Sequence, residues 1–174
     1  MNILILSCSL NPSSRSRVLA NEASRLLREM NAEVRVVDLR DHPLPMCDGE
    51  GCDPATIGPL REAIVSADAI LMAVPIYNYD VNAAAKNIVE LTGSAWEDKI
   101  VGFMCAAGGH GSYMSVMSLA NSLMLDFRCL IVPRFLYATG DAFEGDGVTS
   151  KVRDRLARLC SETLRLSKAM KLSV

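Results

Sequence analysis

Short apolar runs alternate with longer stretches of helical spacing from one end of the chain to the other. Residues 2–7 (NILILS) form an apolar run that stops at polar residues and Pro12, as a buried strand does. From 14 to 30, Val18, Leu19, Ala23, Leu26, Leu27 and Met30 recur at helical spacing, with arginines and glutamates opposite. Residues 33–39 (EVRVVDL) alternate as a second strand, and a loop rich in Pro, Gly and Asp fills 40–56. A short helix over 57–66 then leads into a third strand at 69–74 (AILMAV), apolar on both faces, and a helix follows over 81–91. A fourth strand at 100–106 (IVGFMCA), a helix over 112–127, a fifth strand at 129–135 (CLIVPRF) and a long helix over 149–171 complete the pattern.

Strands apolar on both faces, each followed by a helix, predict a parallel sheet covered on both sides. Five such units predict one α/β domain over 1–174, a doubly wound three-layer sandwich. Element count and length favour a five-stranded sheet of order 2-1-3-4-5, with helices on both faces. Ligands in such sheets bind beyond the carboxyl ends of the strands, where the order reverses. The loops after strands 1, 3 and 4 are therefore expected to converge.

Composition narrows the class. Half of the residues are hydrophobic and 22% are charged, which suits a full core. The net charge of −2 gives no reason to expect nucleic acid or an anionic membrane as partner. The N-terminal apolar run is too short for a signal-peptide core, and no run approaches a membrane span, so a cytoplasmic protein is expected. Cys8, Cys105 and Cys129 sit in or beside strands as small hydrophobes. Cys47 and Cys52 share a loop with His42 but lack the further ligands of a zinc site, so no metal is expected.

The three convergent loops carry the candidate chemistry. The first, SLNPSSRS, has no glycine and is neither a Walker loop nor a dinucleotide fingerprint. It brings Ser9, Ser14, Arg15 and Ser16 to a helix N-terminus, where hydroxyls, a guanidinium and free N–H groups suit a phosphate monoester. A plain helix cap at Ser13 or Ser14 is the simpler alternative. The second, Pro75-Ile76-Tyr77-Asn78, ends a strand at proline and turns at Asn78, offering flat aromatic surface and turn peptides. The third, Gly108-Gly109-His110-Gly111, exposes backbone N–H groups that suit an anionic edge, and His110 is either an assistant there or merely solvated.

These segments resemble the NADPH-dependent FMN reductase family of flavodoxin-like proteins. SLNPSSRS is similar to its phosphate loop, DLRDHPLPMCD (38–48) to its segment after the second strand, PIYNYD with AAAKN (83–87) to its flavin loop and following helix, and AAGGHG to its third flavin loop. The family usually has glycine where Cys8 stands, glutamate where Ile76 stands, and a proline-glycine pair near 83–84. The resemblance implies a flavodoxin-like fold, bound FMN, and hydride transfer from NADPH or NADH through FMN to a small acceptor such as a flavin or quinone. FMN then carries the chemistry, and no catalytic acid, base or nucleophile is expected. Arg15 or Arg17 is a candidate for the 2′-phosphate of NADPH, with a solvated arginine as the plainer reading. The helices at 81–91 and 112–127, the second apolar most of the way round, are expected to form a homodimer or homotetramer. The alternatives are an FMN-binding electron carrier without NAD(P)H activity, from which the near-neutral charge departs, and a flavin-free interaction module.

Overall fold

The computed structural model describes residues 1–50 and 52–171, so the last three residues of the domain expected over 1–174 lie outside it. Four parallel strands stand side by side in the order β2 (Glu33–Asp38), β1 (Asn2–Ser7), β3 (Ala69–Tyr77) and β5 (Ile100–Ala106). Two short strands, β6 (Leu130–Ile131) and β7 (Leu136–Ala138), share the fifth position, both parallel to β5. The sheet thus follows the doubly wound, flavodoxin-like order expected. A two-residue strand, β4 (Asp80–Val81), folds back on β3, and β8 (Phe143–Glu144) pairs with β9 (Gly147–Val148) as a separate ribbon.

Strand alternation divides the core into two layers. Leu4, Leu6, Ile70, Met72, Val101 and Phe103 face α2 (Pro54–Val65), α3 (Ala83–Thr92) and α4 (Met117–Phe127). Ile3, Ile5, Ala69, Leu71, Ala73 and Met104 face α1 (Arg15–Glu29) and α5 (Ser150–Lys171). Both layers are apolar because each central strand is covered on both faces and every peptide group is spent in the ladder. Trp96 is wholly buried, and its indole N–H donates to Thr92 Oγ1 at 2.7 Å.

The structure departs from expectation at several ends. The third strand does not stop at Pro75 but runs on to Tyr77. Ala73 accepts the N–H of Cys8, at the end of β1, at 2.9 Å. Alternation points Pro75 to that same side, where β1 has run out, so its missing N–H leaves no ladder partner wanting. The fifth strand, expected unbroken over 129–135, is split. Four residues, 132–135, stand opposite the two residues between Val101 and Met104, and Arg134 takes a left-handed φ of 60° after Pro133. The segment expected as helix from 112 opens as a 3-10 stretch, His110–Val116, before α4 begins at Met117. The ribbon of β8 and β9 was not expected, although Gly145-Asp146, a glycine-first two-residue turn with Gly145 at φ 54°, is a hairpin signal.

An ion pair joins the two helices of one layer. Glu22 of α1 accepts from Arg25 and from Arg153 of α5, each at 2.7 Å. The hydrogen bond from Arg25, opposed by partial burial and helped by Arg153, holds its carboxyl below the usual range. Such a group contributes stability above its unfolded pKa of ~4.3 and loses it as pH falls through the lowered folded value. Solvent screening keeps the effect small. Glu22→Gln is expected to lower stability by about 0.5–1 kcal/mol at neutral pH, with the difference vanishing well below pH ~4, as read by urea unfolding.

Candidate active site

The carboxyl ends of β1, β3 and β5 open onto one cavity of about 870 Å³. At one end stands the N-terminus of α1. Ser14 is its N-cap, its Oγ accepting the N–H of Arg17 at 3.2 Å, so the capping alternative is realised. That leaves the N–H groups of Arg15 and Ser16 without helical partners. The first turn holds no acidic residue, although helices commonly place one there. Ser9, Ser14 and Ser16 are buried at this end, and the hydroxyls of Ser14 and Ser16 lie 2.9 Å apart. Arg15 is exposed, with its guanidinium 5.6 Å from the Phe143 ring. A side chain on Gly140 would begin 3.3 Å from Arg15 Nη1, so the loop after β7 also meets it. Arg17 is engaged in the fold, donating to the Pro12 carbonyl at 3.1 Å and pairing with Asp38 at 3.8 Å.

The second loop is the two-residue turn between β3 and β4. Asn78 (φ 50°) and Tyr79 (φ 64°) are both left-handed, as a tight hairpin turn requires. Asparagine accepts this readily, tyrosine does not. The turn is held from below by Asp80 Oδ1, which accepts from the Val81 N–H and the Ser118 hydroxyl, each at 2.7 Å. Tyr79 leans toward the third loop, its hydroxyl 3.3 Å from where a Cβ on Gly111 would stand. Gly108 and Gly109 have open space where a side chain would be, so the cavity meets bare backbone. Tyr137 holds this loop, its hydroxyl donating to the Gly109 carbonyl and sharing a hydrogen bond with Ser112 Oγ, both at 2.6 Å.

Every residue expected at the site lines this cavity except His110, whose Nε2 lies 3.5 Å from Thr139 Oγ1. Asn11, Ser13, Tyr79 and Ser112 line it as well. Two residues that hold the loops had gone unnoticed. Asn82 precedes α3 and reads as a helix cap, yet it makes no cap bond. Its amide instead donates to the Cys8 carbonyl at 2.7 Å, and its backbone N–H to the Pro75 carbonyl at 3.2 Å, tying the first loop to the second. Tyr137 follows the expected end of the fifth strand and carried no local signal. Asn87, in the AAAKN segment, accepts from the Cys47 N–H at 2.8 Å and donates to the Pro45 carbonyl at 2.9 Å. It thereby joins two of the segments that carry the resemblance.

The cysteines take no part. Burial, and secondarily Asp38, pushes the Cys8 thiol far up, and burial raises Cys105 and Cys160 to about 12 and Cys129 to about 11. Cys8 therefore replaces glycine as a core group. All six cysteines are free.

Residues 1–144 match the NADPH-dependent FMN reductase family. The chain belongs to that family. A NAD(P)H-dependent FAD/FMN reductase of Geobacillus thermodenitrificans is 26% identical, over 86% of this chain and 83% of its own. An NADPH:quinone oxidoreductase of Arabidopsis thaliana is 30% identical, over 95% of this chain and 93% of its own. Among solved structures, the NAD(P)H:(acceptor) oxidoreductase FerB of Paracoccus denitrificans superposes with a TM-score of 0.73 at 17% identity, over 94% of this chain and 97% of its own. That likeness speaks for the fold.

Asn82→Ala would leave the buried Cys8 carbonyl without its donor. The expected loss is about 1–3 kcal/mol of stability in urea unfolding, with Asn82→Asp failing to restore it because a carboxylate cannot donate.

Proposed function

We propose that this protein is an NAD(P)H-dependent flavin oxidoreductase that holds FMN in the cavity at the strand ends and reduces a small acceptor there, a flavin or a quinone. The observation that carries the reading is the donor set. Buried serine hydroxyls, an exposed arginine and two free N–H groups surround a helix N-terminus without a first-turn acid, which fits a phosphate monoester. The bare backbone of Gly108 and Gly109 fits the edge of a planar ring. When bound there, FMN would supply the hydride chemistry.

The chain's own residues bind and orient. Ser9, Ser14, Ser16 and Arg15 take the phosphate oxygens, Arg15 adding charge to the helix dipole. Pro75, Ile76, Tyr77 and Asn78 flank the ring system on the β3 side, where the turn fixes their peptides. The N–H groups of the Gly108–Gly111 loop face the pyrimidine edge, where negative charge develops on reduction. No side chain in the cavity needs to give or take a proton for hydride to pass. His110, turned toward Thr139, stands at the rim.

Anaerobic titration of FMN-loaded protein with NADPH tests this directly. Bleaching of the flavin that reverses on adding a quinone is expected. FMN that stays oxidised with both NADPH and NADH would make the protein an electron carrier, and failure to take up FMN would end both readings. Replacing Ser14 and Ser16 together by Ala should weaken FMN binding about a hundredfold or more, at about 1.5–3 kcal/mol for each of the two charge-assisted bonds lost.

A homodimer or homotetramer accounts for the exposed apolar side of the segment from 110 to 127. Leu125 is 76% exposed and Met114 60%, with Met117 and Met124 beside them, a concentration unusual on a solvated helix. A second copy covering them would bring a subunit close to the third loop. Leu125→Glu with Met117→Glu is expected to give monomers in sedimentation velocity while leaving the far-ultraviolet circular dichroism unchanged. A cytoplasmic setting accords with six free cysteines.

A further inference from the structure

The break in the edge strand leaves a second hollow, about 670 Å³, between the 132–135 segment and α5. Its apolar wall is an aromatic pair, Tyr113 and Phe135, with ring centroids 4.9 Å apart. Its other wall is cationic, formed by Arg134, Arg155 and Arg158, with Glu162 as the one acid. Glu162 does not balance them, because its carboxylate accepts from Arg165 at 2.9 Å and is held in its charged form by that bond. Arg155 donates to the Tyr137 carbonyl at 3.3 Å, which uses one nitrogen of its fork. Among the described residues, no hydrogen bond or ion pair holds Arg134 or Arg158. Three guanidinium groups around one hollow repel one another unless an anion sits among them.

The hollow is next to the flavin cavity. Ser112 lines the cavity and Tyr113, the next residue, lines the hollow. Tyr137 stands between, its ring 5.3 Å from that of Tyr113 and its hydroxyl on the Gly109 carbonyl. The arginines named in the sequence as candidates for a nucleotide phosphate are otherwise engaged, Arg17 with Pro12 and Asp38 and Arg15 at the FMN end beside Phe143.

We propose that this hollow receives the 2′-phosphoadenosine end of NADPH, and that Arg134 and Arg158 thereby select NADPH over NADH. The inference rests on the reading of the neighbouring cavity as a site of hydride transfer from NAD(P)H. Planar guanidinium forks match phosphate oxygens in pairs, and the exposed Tyr113 ring, backed by half-buried Phe135, offers a stacking surface to a purine. NADH carries a hydroxyl where NADPH carries the phosphate, so only NADPH engages the two free forks. Arg155 and Arg158 belong to α5, beyond the residues that match the family model.

Calorimetry of FMN-loaded protein with adenosine 2′,5′-bisphosphate tests the hollow without turnover. The bisphosphate is expected to bind, more tightly than adenosine 5′-monophosphate or inorganic phosphate, and to compete with NADPH. Arg158→Ala, on an exposed helix surface, is expected to weaken it about tenfold and to lower kcat/KM for NADPH by a similar factor, the loss of one charge-assisted pair. The value for NADH should fall less than twofold, and Arg158→Lys should recover part of the NADPH value. Equal losses for both nucleotides, or bisphosphate binding indifferent to Arg158, would overturn the proposal. If neither nucleotide reduces the flavin, the assigned activity falls, and the calorimetric comparison still decides whether the hollow recognises the 2′-phosphate.

Discussion

The rest of the structure depends on the double burial of the central strands. From Ala69 to Ile76, β3 is sealed on both faces, and β5 is sealed along its whole length. A strand so placed can carry no charged group at acceptable cost and spends its peptide groups on its neighbours. Polar chemistry is therefore pushed to the strand ends. Small residues in the strands bring the covering elements close. A side chain on Gly102 would begin 2.7 Å from Cδ2 of Leu71 on the neighbouring strand and 3.5 Å from Leu159 of α5, so a methyl group there would force the Leu71 side chain to shift.

Loops at strand ends are the mobile parts of most α/β proteins, and here they are tied together by polar side chains rather than by packing. Asn82 joins the first loop to the second, Tyr137 holds the third, and Asp80 anchors the turn to Ser118 of α4. The first two ties satisfy a buried or half-buried carbonyl, so breaking either leaves a group unsatisfied as well as a loop untethered, whereas the Asp80–Ser118 bond is exposed and acts on the turn alone. Such ties preset the cavity's shape, so less ordering remains when a planar ligand enters.

The fold was legible because its determinants are periodic. Runs such as AILMAV and IVGFMCA announce buried strands wherever they occur, and five strand–helix units leave few arrangements. The strand ends were less legible because tertiary context decides them. Pro75 looked like a terminator, yet its missing N–H points where β1 has already ended. At Pro133 the same residue type does interrupt the edge, and Arg134 turns left-handed behind it. Loop composition was sufficient to bring Ser9, Ser16 and Gly109 to the lining of one cavity. Asn82 and Tyr137 act through partners 74 and 28 residues away, and no local pattern reveals a bond of that span.

The placement of the sulfur has a chemical consequence. Thiols raised to about 11 or 12 leave roughly one thiolate in ten thousand or fewer at neutral pH, and a thiolate is the form that attacks. Quinones are electrophiles as well as electron acceptors, and they arylate nucleophilic cysteines. With Cys8, Cys105, Cys129 and Cys160 sealed in the core, only Cys47 and Cys52 are partly open to such a reagent. A protein that reduced such molecules at its surface would thus be spared, over most of its sulfur, from being consumed by them.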